Sequence, residues 1–268
     1  MKASQPIGVF DSGIGGLTVA HAIKKRLPEE SLIYFGDTAH LPYGDKSEAA
    51  VQAYSIKIAD VLLKKNCKAI VIACNSASSA AYELLKEYVG SKAVVVNVID
   101  PMIRYVAQHY LENRIGLIGT RRTIDSGVYQ QKVYALDRHI ELNSLATPLL
   151  VPMIEEGFFN NKISDEIIEA YLGDKELQDI KAIILGCTHY PLIRNQVQAY
   201  YNNKVQVLDS SDITAAYLEE ELRAKSLLAD HSGQDDLFLV SDYTESFEAS
   251  TKMFFRERVE LIKYALWE

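Results

Sequence analysis

Apolar residues follow two rhythms along this chain, and the rhythms alternate. Short apolar runs at 7–10, 32–35, 69–73 and 94–99, the last interrupted by Asn97, have the length and composition of buried strands. Between them, apolar residues recur three and four apart. The clearest such stretch predicts a helix over 47–65, with Val51, Tyr54, Ile58, Val61 and Leu62 on one face. Another runs from residue 17 to 27 and stops before Pro28. Asp100 followed by Pro101 predicts a helix start, an acid as cap and proline at the first helical position. Strands alternating with helices predict an α/β fold with mainly parallel sheets.

The alternation then repeats. Ile7-Gly8-Val9-Phe10-Asp11-Ser12 resembles Ile115-Gly116-Leu117-Ile118-Gly119-Thr120. Lys68-Ala69-Ile70-Val71-Ile72-Ala73-Cys74 resembles Lys181-Ala182-Ile183-Ile184-Leu185-Gly186-Cys187 position by position. The runs 31–37 and 139–145 fit between these as second strands, more weakly, and 94–99 and 205–208 close the two sets. Any two buried strands share Ile, Val and Ala, but both heptapeptides end in cysteine followed by a polar residue, and the chain has three cysteines. Two related α/β halves are expected. The last sixty residues, with a helical pattern after Asp209 and an apolar run at 237–240, could extend either half.

Composition narrows the setting. Of the 268 residues, 48% are hydrophobic and 24% charged, values of a globular protein with a sizeable core. A net charge of −8 argues against nucleic acid or an anionic membrane as the main partner. No apolar run is long enough to span a bilayer, and the short polar stretch 1–6 does not read as a signal peptide. The cytoplasm is the expected compartment. Three cysteines, with no CxxC pair and no zinc spacing, predict free thiols and no metal.

Ligands of parallel α/β sheets bind outside the carboxyl ends of the strands. The residues expected there are Asp11, Ser12, Asp37, Cys74, Asn75, Ser76, Thr120, Cys187, Thr188 and His189. If the halves face each other, one thiol approaches a ligand from each side. That suits inversion of a carbon bearing an acidic hydrogen, which needs a base on one face and an acid on the other. Cysteine, with an ordinary pKa near ~8.5, serves in both roles after modest tuning. A free cysteine at a strand end is more often a small core residue. For Cys67 that reading stands, whereas Asn-Ser after Cys74 and Thr-His after Cys187 place polar groups where a core would not want them. His189, two residues past Cys187, can reach the same pocket. Glu155-Glu156 reads from its surroundings only as a solvated helix end.

The turn Asp11-Ser12-Gly13-Ile14-Gly15-Gly16 invites comparison with a dinucleotide-binding loop, with Asp37 as ribose acid. It fails at the third required glycine, where Thr18 stands. The same glycines make a tight strand-to-helix turn whose amides can approach a carboxylate.

The stretch 8–19, Tyr34-Phe35-Gly36-Asp37 with Pro42-Tyr43-Gly44, Ala73-Cys74-Asn75-Ser76-Ala77-Ser78 and Gly186-Cys187-Thr188-His189-Tyr190-Pro191 resemble, in order, the motifs of glutamate racemases. The resemblance implies two pseudo-symmetric α/β domains, 1–98 plus 209–268 and 99–208, with the active site in the cleft between them. It implies interconversion of L- and D-glutamate without pyridoxal phosphate or any other cofactor, supplying D-glutamate for peptidoglycan. Cys74 would act on D-glutamate and Cys187 on L-glutamate, assisted by Asp11 and His189 respectively, with Glu155 a further acid. Asp11, Ser12, Tyr43, Gly44, Asn75, Ser76, Thr188 and His189 would hold the substrate. Ser76 stands where threonine is usual, and the Arg121-Arg122 pair is unusual for these proteins. A homodimer is the expected assembly. The competing readings are a related racemase acting on aspartate or a hydantoin, a nucleotide-dependent enzyme, and a binding protein for acidic amino acids.

Overall fold

The alternation written in the sequence is built as two separate parallel sheets. The computed structural model describes residues 1–136, 139–231 and 233–267. From the N-terminus come β1 (Ile7–Asp11), α1 (Leu17–Arg26), β2 (Leu32–Gly36), α2 (Glu48–Lys64), β3 (Ala69–Ile72), α3 (Asn75–Val89), β4 (Val94–Asn97) and α4 (Ile99–His109). The second set is β5 (Arg114–Gly119), α5 (Arg121–Asp125), α6 (Val128–Tyr134), β6 (Glu141–Ala146), α7 (Leu150–Glu155), α8 (Lys162–Leu172), β7 (Ala182–Gly186), α9 (Arg194–Tyr200) and β8 (Gln206–Asp209). The chain finishes with α10 (Ser210–Ala224), β9 (Leu237–Val240), α11 (Glu245–Phe255) and β10 (Ile262–Lys263).

The strand order is β10-β9-β2-β1-β3-β4 in one sheet and β6-β5-β7-β8 in the other. Without β9 and β10 the two orders are the same. The repeat is therefore structural, and its register agrees: Ile7 lies opposite Ala69, and Ile115 opposite Ala182. For the second strands the expected match is two residues out, because Leu32 and Leu142 are the partners of Ile7 and Ile115. The fourth strands differ by one, Val94 matching Gln206 rather than Val205. β6 is at best half-buried along its length. It lacks the apolar run that makes register legible.

Strands covered on both faces need apolar residues at every position. Val9 packs with α1 and α4 on one face of the first sheet, and Phe10 with α2 and α3 on the other. The cluster containing Val9 runs on into the second sheet through Leu117 and Ile184, so one core spans both. The expected start at Asp100 falls one residue inside α4. Asn97 caps it instead, its Oδ1 accepting from the amides of Ile99 at 2.7 Å and Asp100 at 2.8 Å. The C-terminal segment returns to the first sheet, β9 pairing with β2 and β10 with β9.

At the amino ends of these strands Lys68 and Glu30 form an ion pair of 2.5 Å with side chains 0% and 2% exposed. Lys68 also donates to the Ala3 carbonyl, and the other oxygen of Glu30 accepts from the Ala229 amide at 2.9 Å. Among the described residues no helix is long and apolar enough to cross a membrane.

Candidate active site

The carboxyl ends of β1, β3, β5 and β7 open into one cleft. Its cavity has a volume of about 90 Å³, on the scale of a small polar molecule. The first sheet contributes Ser12, Cys74, Asn75 and Ser76, and the loop after β2 contributes Tyr43 and Gly44. From the second sheet come Thr120, Thr147, Cys187, Thr188 and His189, with Glu155 at the end of α7. Cys67 lies in the core beside Leu62 and Gly8, away from the cavity. Asp11 is wholly buried behind the wall and does not line it.

The glycine turn explains where Asp11 goes. Its Oδ2 accepts from the amides of Gly13 at 3.2 Å and Gly16 at 2.9 Å. The carboxylate these amides meet is thus the chain's own. A side chain at Gly15 would stand 2.5 Å from His189 Cε1 and 2.6 Å from Thr188 Oγ1. Glycine is needed there because the first half's turn closes on the second half's Cys-Thr-His segment. Asp37 is equally engaged. It accepts from Tyr43 at 2.6 Å and Ser241 at 2.7 Å, and pairs with His40 at 2.8 Å. With both oxygens committed it positions Tyr43 and offers no free acid to a ribose.

The two thiols are set differently. Cys74 caps α3, its Sγ accepting from the Ala77 amide at 3.4 Å and donating to Ser12 Oγ at 3.7 Å. Burial, then the charge of Asp11, pushes this thiol up to about 12 against the pull of those two contacts. Cys187 caps no helix; the 3-10 turn that follows it begins at Tyr190. Its Sγ lies 3.7 Å from His189 Nδ1, and His189 Nε2 lies 3.0 Å from Glu155 Oε1. Burial, the largest influence on His189, lowers its basicity, yet bonds to Cys187 and Glu155 outweigh it and raise the imidazole to about 10. Cys74 is therefore a neutral thiol at pH 7, and His189 an imidazolium touching Cys187.

Two equivalent thiols on one cavity, one per half, is the arrangement expected of a two-sided proton transfer, and comparison with known proteins identifies the lineage. A family model described as Asp/Glu/Hydantoin racemase matches residues 17–218. The chain belongs to that family. Among its relatives are the glutamate racemases of Geobacter metallireducens, 40% identical over 90% of this chain and 89% of the relative, and of Thermus thermophilus, 40% identical over 96% and 95%. The solved glutamate racemase of Francisella tularensis in complex with D-glutamate superposes with a TM-score of 0.91 at 36% identity over 99% of each chain. That of Thermus thermophilus in complex with beta-chloro-D-alanine gives 0.88 at 39% identity, again over 99% of each. The chain is an amino-acid racemase.

Contacts between the halves shape this racemase's cleft. Ser76 Oγ meets Thr120 Oγ1 at 2.9 Å, Tyr129 donates to Asn75 Oδ1 at 2.8 Å, and Thr18 donates to the Thr188 carbonyl at 3.2 Å. Several contributors escaped sequence reasoning, Thr147, Ser241 and Phe254 among them. Thr147 lines the cavity at the position equivalent to Asp37, hidden by the two-residue error in β6. Ser241 and Phe254, the latter edge-on to His189 at 5.3 Å, come from the motif-free C-terminal segment. Among the described residues no cluster of three or more His, Cys, Asp and Glu is arranged to hold a metal.

A pH dependence follows from His189. Between its ordinary 6.5 and about 10, the folded protein keeps a proton that the unfolded chain has released. The stabilisation is complete below pH 6.5 and is lost as pH rises through 10. Resistance to urea is expected to fall across this window, and less steeply in His189→Gln. Equal slopes for the two proteins would refute the imidazolium assignment.

Proposed function

We propose that this racemase interconverts L- and D-glutamate by proton transfer between Cys74 and Cys187. The observation that carries the reading is that equivalent strand ends of two repeated sheets put one thiol each on a single cavity. In the direction from L-glutamate, sulfur of Cys187 takes the α-proton. The His189 imidazolium, held by Glu155, stabilises negative charge on that sulfur before the transfer. Cys74, kept protonated by burial and by Asp11, delivers a proton to the opposite face. From D-glutamate the roles reverse.

The α-proton of an amino acid is weakly acidic, so developing charge must be met by fixed donors. Asn75 lines the cavity, and its Nδ2 is buried with no hydrogen-bond partner among the described residues. Together with the hydroxyls of Ser12, Ser76, Thr120 and Thr188 it forms the donor set for the substrate carboxylates. Tyr43 and Gly44 close the other side. In this reading Asp11 acts through Cys74 from behind the wall and does not touch substrate. The chemistry requires no electron sink beyond these groups, and a cofactor-free reaction is expected. The choice of glutamate over aspartate rests on the relatives, whose names carry glutamate at 34–40% identity. The proposed division into domains 1–98 plus 209–268 and 99–208 is supported by the separation of the strands into two sheets, with α4 packing against the first sheet across the boundary. The reading places the enzyme in the cytoplasm as a source of D-glutamate for peptidoglycan, and we further expect a homodimer, whose mass light scattering would read.

The deciding experiment is proton NMR of the protein with L-glutamate in heavy water, no cofactor added, followed by chiral analysis. Loss of the α-proton signal with appearance of D-glutamate is the expected result. Exchange with aspartate but not glutamate would move the assignment to a related substrate. Binding of glutamate without exchange would leave a binding protein.

A further inference from the structure

Arg121, which the proton transfer does not use, lines the cavity, and Arg122 follows it in α5. One bank is the loop 41–45, which continues into Lys46; the other bears Thr120 and Arg121 at the start of α5. Arg122 reaches across. Its Nε and Nη2 both donate to the Lys46 carbonyl, at 3.1 and 2.7 Å. Beside this bridge, Gly44 comes so near Thr120 that a Cβ would stand 2.9 Å from the threonine's own. Arg121 adds an outer link, 3.6 Å from Asp45, with side chains 58% and 63% exposed. Solvent screening leaves little in that pair. The loop is tied to its own half by Tyr43, through the bond to Asp37.

We propose that Arg122 is a positioning residue for the reaction, a clasp that fastens the 41–46 loop of one half to α5 of the other and holds the cavity closed around its occupant. A planar guanidinium that places two N–H groups on one oxygen sets both distance and direction, which the point charge of a lysine does not. Without it, the banks are joined at this edge by the Gly44 contact and an exposed ion pair, so the loop opens more often and solvent reaches both thiols. The clasp takes from the racemase reading only that this cavity is the reacting site.

The cysteines supply a test that does not depend on turnover. Cys74 and Cys187 line the cavity, and Cys67 lies in the core. Alkylation of the intact protein by iodoacetamide, followed site by site by peptide mass, gives a rate for each thiol. Arg122→Ala is expected to raise the rates at Cys74 and Cys187 relative to Cys67 on the order of tenfold, the worth of hydrogen bonds from a charged donor. Arg122→Lys, which keeps the charge and the stem, should give a smaller rise. KM for glutamate should increase by a similar factor, with kcat changing less. A cavity-to-core ratio that is unchanged or lower in both variants overturns the clasp; global unfolding lowers the ratio, because all three thiols then react alike. If the unmodified protein leaves the α-proton of glutamate in place, the racemase reading fails, and the alkylation ratio still decides the clasp.

Discussion

Cys74→Ser is expected to abolish racemisation in both directions, lowering kcat by at least about 10³-fold, the upper part of the range for a lost acid or base. A serine hydroxyl keeps the shape of the site and loses its chemistry. It is far too weak an acid to be a base on the D side, and a poor proton donor on the L side. Because each direction uses one thiol and one thiolate, neither should survive. Cys187→Ser should behave alike, although its sulfur is served by His189 and that of Cys74 by a helix cap and Asp11. Turnover is measured by circular dichroism of glutamate starting from each enantiomer. Near-normal turnover in either variant would sink the two-thiol mechanism. Cys67→Ser provides the contrast. That residue sits in the core, and its activity per folded molecule should be close to unchanged.

The largest effect on stability is expected from Lys68→Met, about 3–5 kcal/mol, because it leaves the Glu30 carboxylate buried without its cation. In a chain of this size that corresponds to a fall in Tm on the order of 10 °C. Glu30→Gln in the same molecule should recover much of the loss. Glutamine keeps an oxygen for the Ala229 amide, and two neutral groups need no ion pairing. The repeat supplies an internal control. Lys181 occupies the equivalent place before β7 and is exposed, so Lys181→Met should move Tm very little. Thermal unfolding of the four proteins tests this together. Equal shifts for Lys68→Met and Lys181→Met would show that the buried pair adds nothing. Because the pair lies at the amino ends of the strands, turnover by the folded fraction should be preserved.

The same two lysines show what local sequence can and cannot tell. Residues 68–74 and 181–187 match position by position, and the match correctly predicts equivalent strands, equivalent register and equivalent thiols. It also pairs Lys68 with Lys181, one sealed against Glu30 and the other in solvent. Burial depends on what packs against the strand end, and here Ala3 and Ala229 come from the two ends of the chain. The second strand tells a similar story. β2 is apolar throughout and its register is legible, whereas half-buried β6 is not, and the error concealed Thr147.

What the sequence determined by itself was the alternation of strands and helices, the repeat and the seven residues that end each time in a thiol. Periodicity and burial on both sheet faces are local demands, written residue by residue. The tertiary structure decided which groups tune each thiol. The glycine turn was legible as a turn, but the folded turn shows that Asp11 consumes its amides, and only the approach of the two halves shows that Gly15 makes room for His189. Glu155 reads as an ordinary helix end until α7 brings it within 3.0 Å of His189. Ser241 and Phe254 reach the site from a segment with no motif, because β9 and α11 carry them back to the first sheet. Proton affinities here arise from burial and from partners such as Asp11 beside Cys74 and Glu155 beside His189, which lie far apart along the chain and meet only in the folded protein.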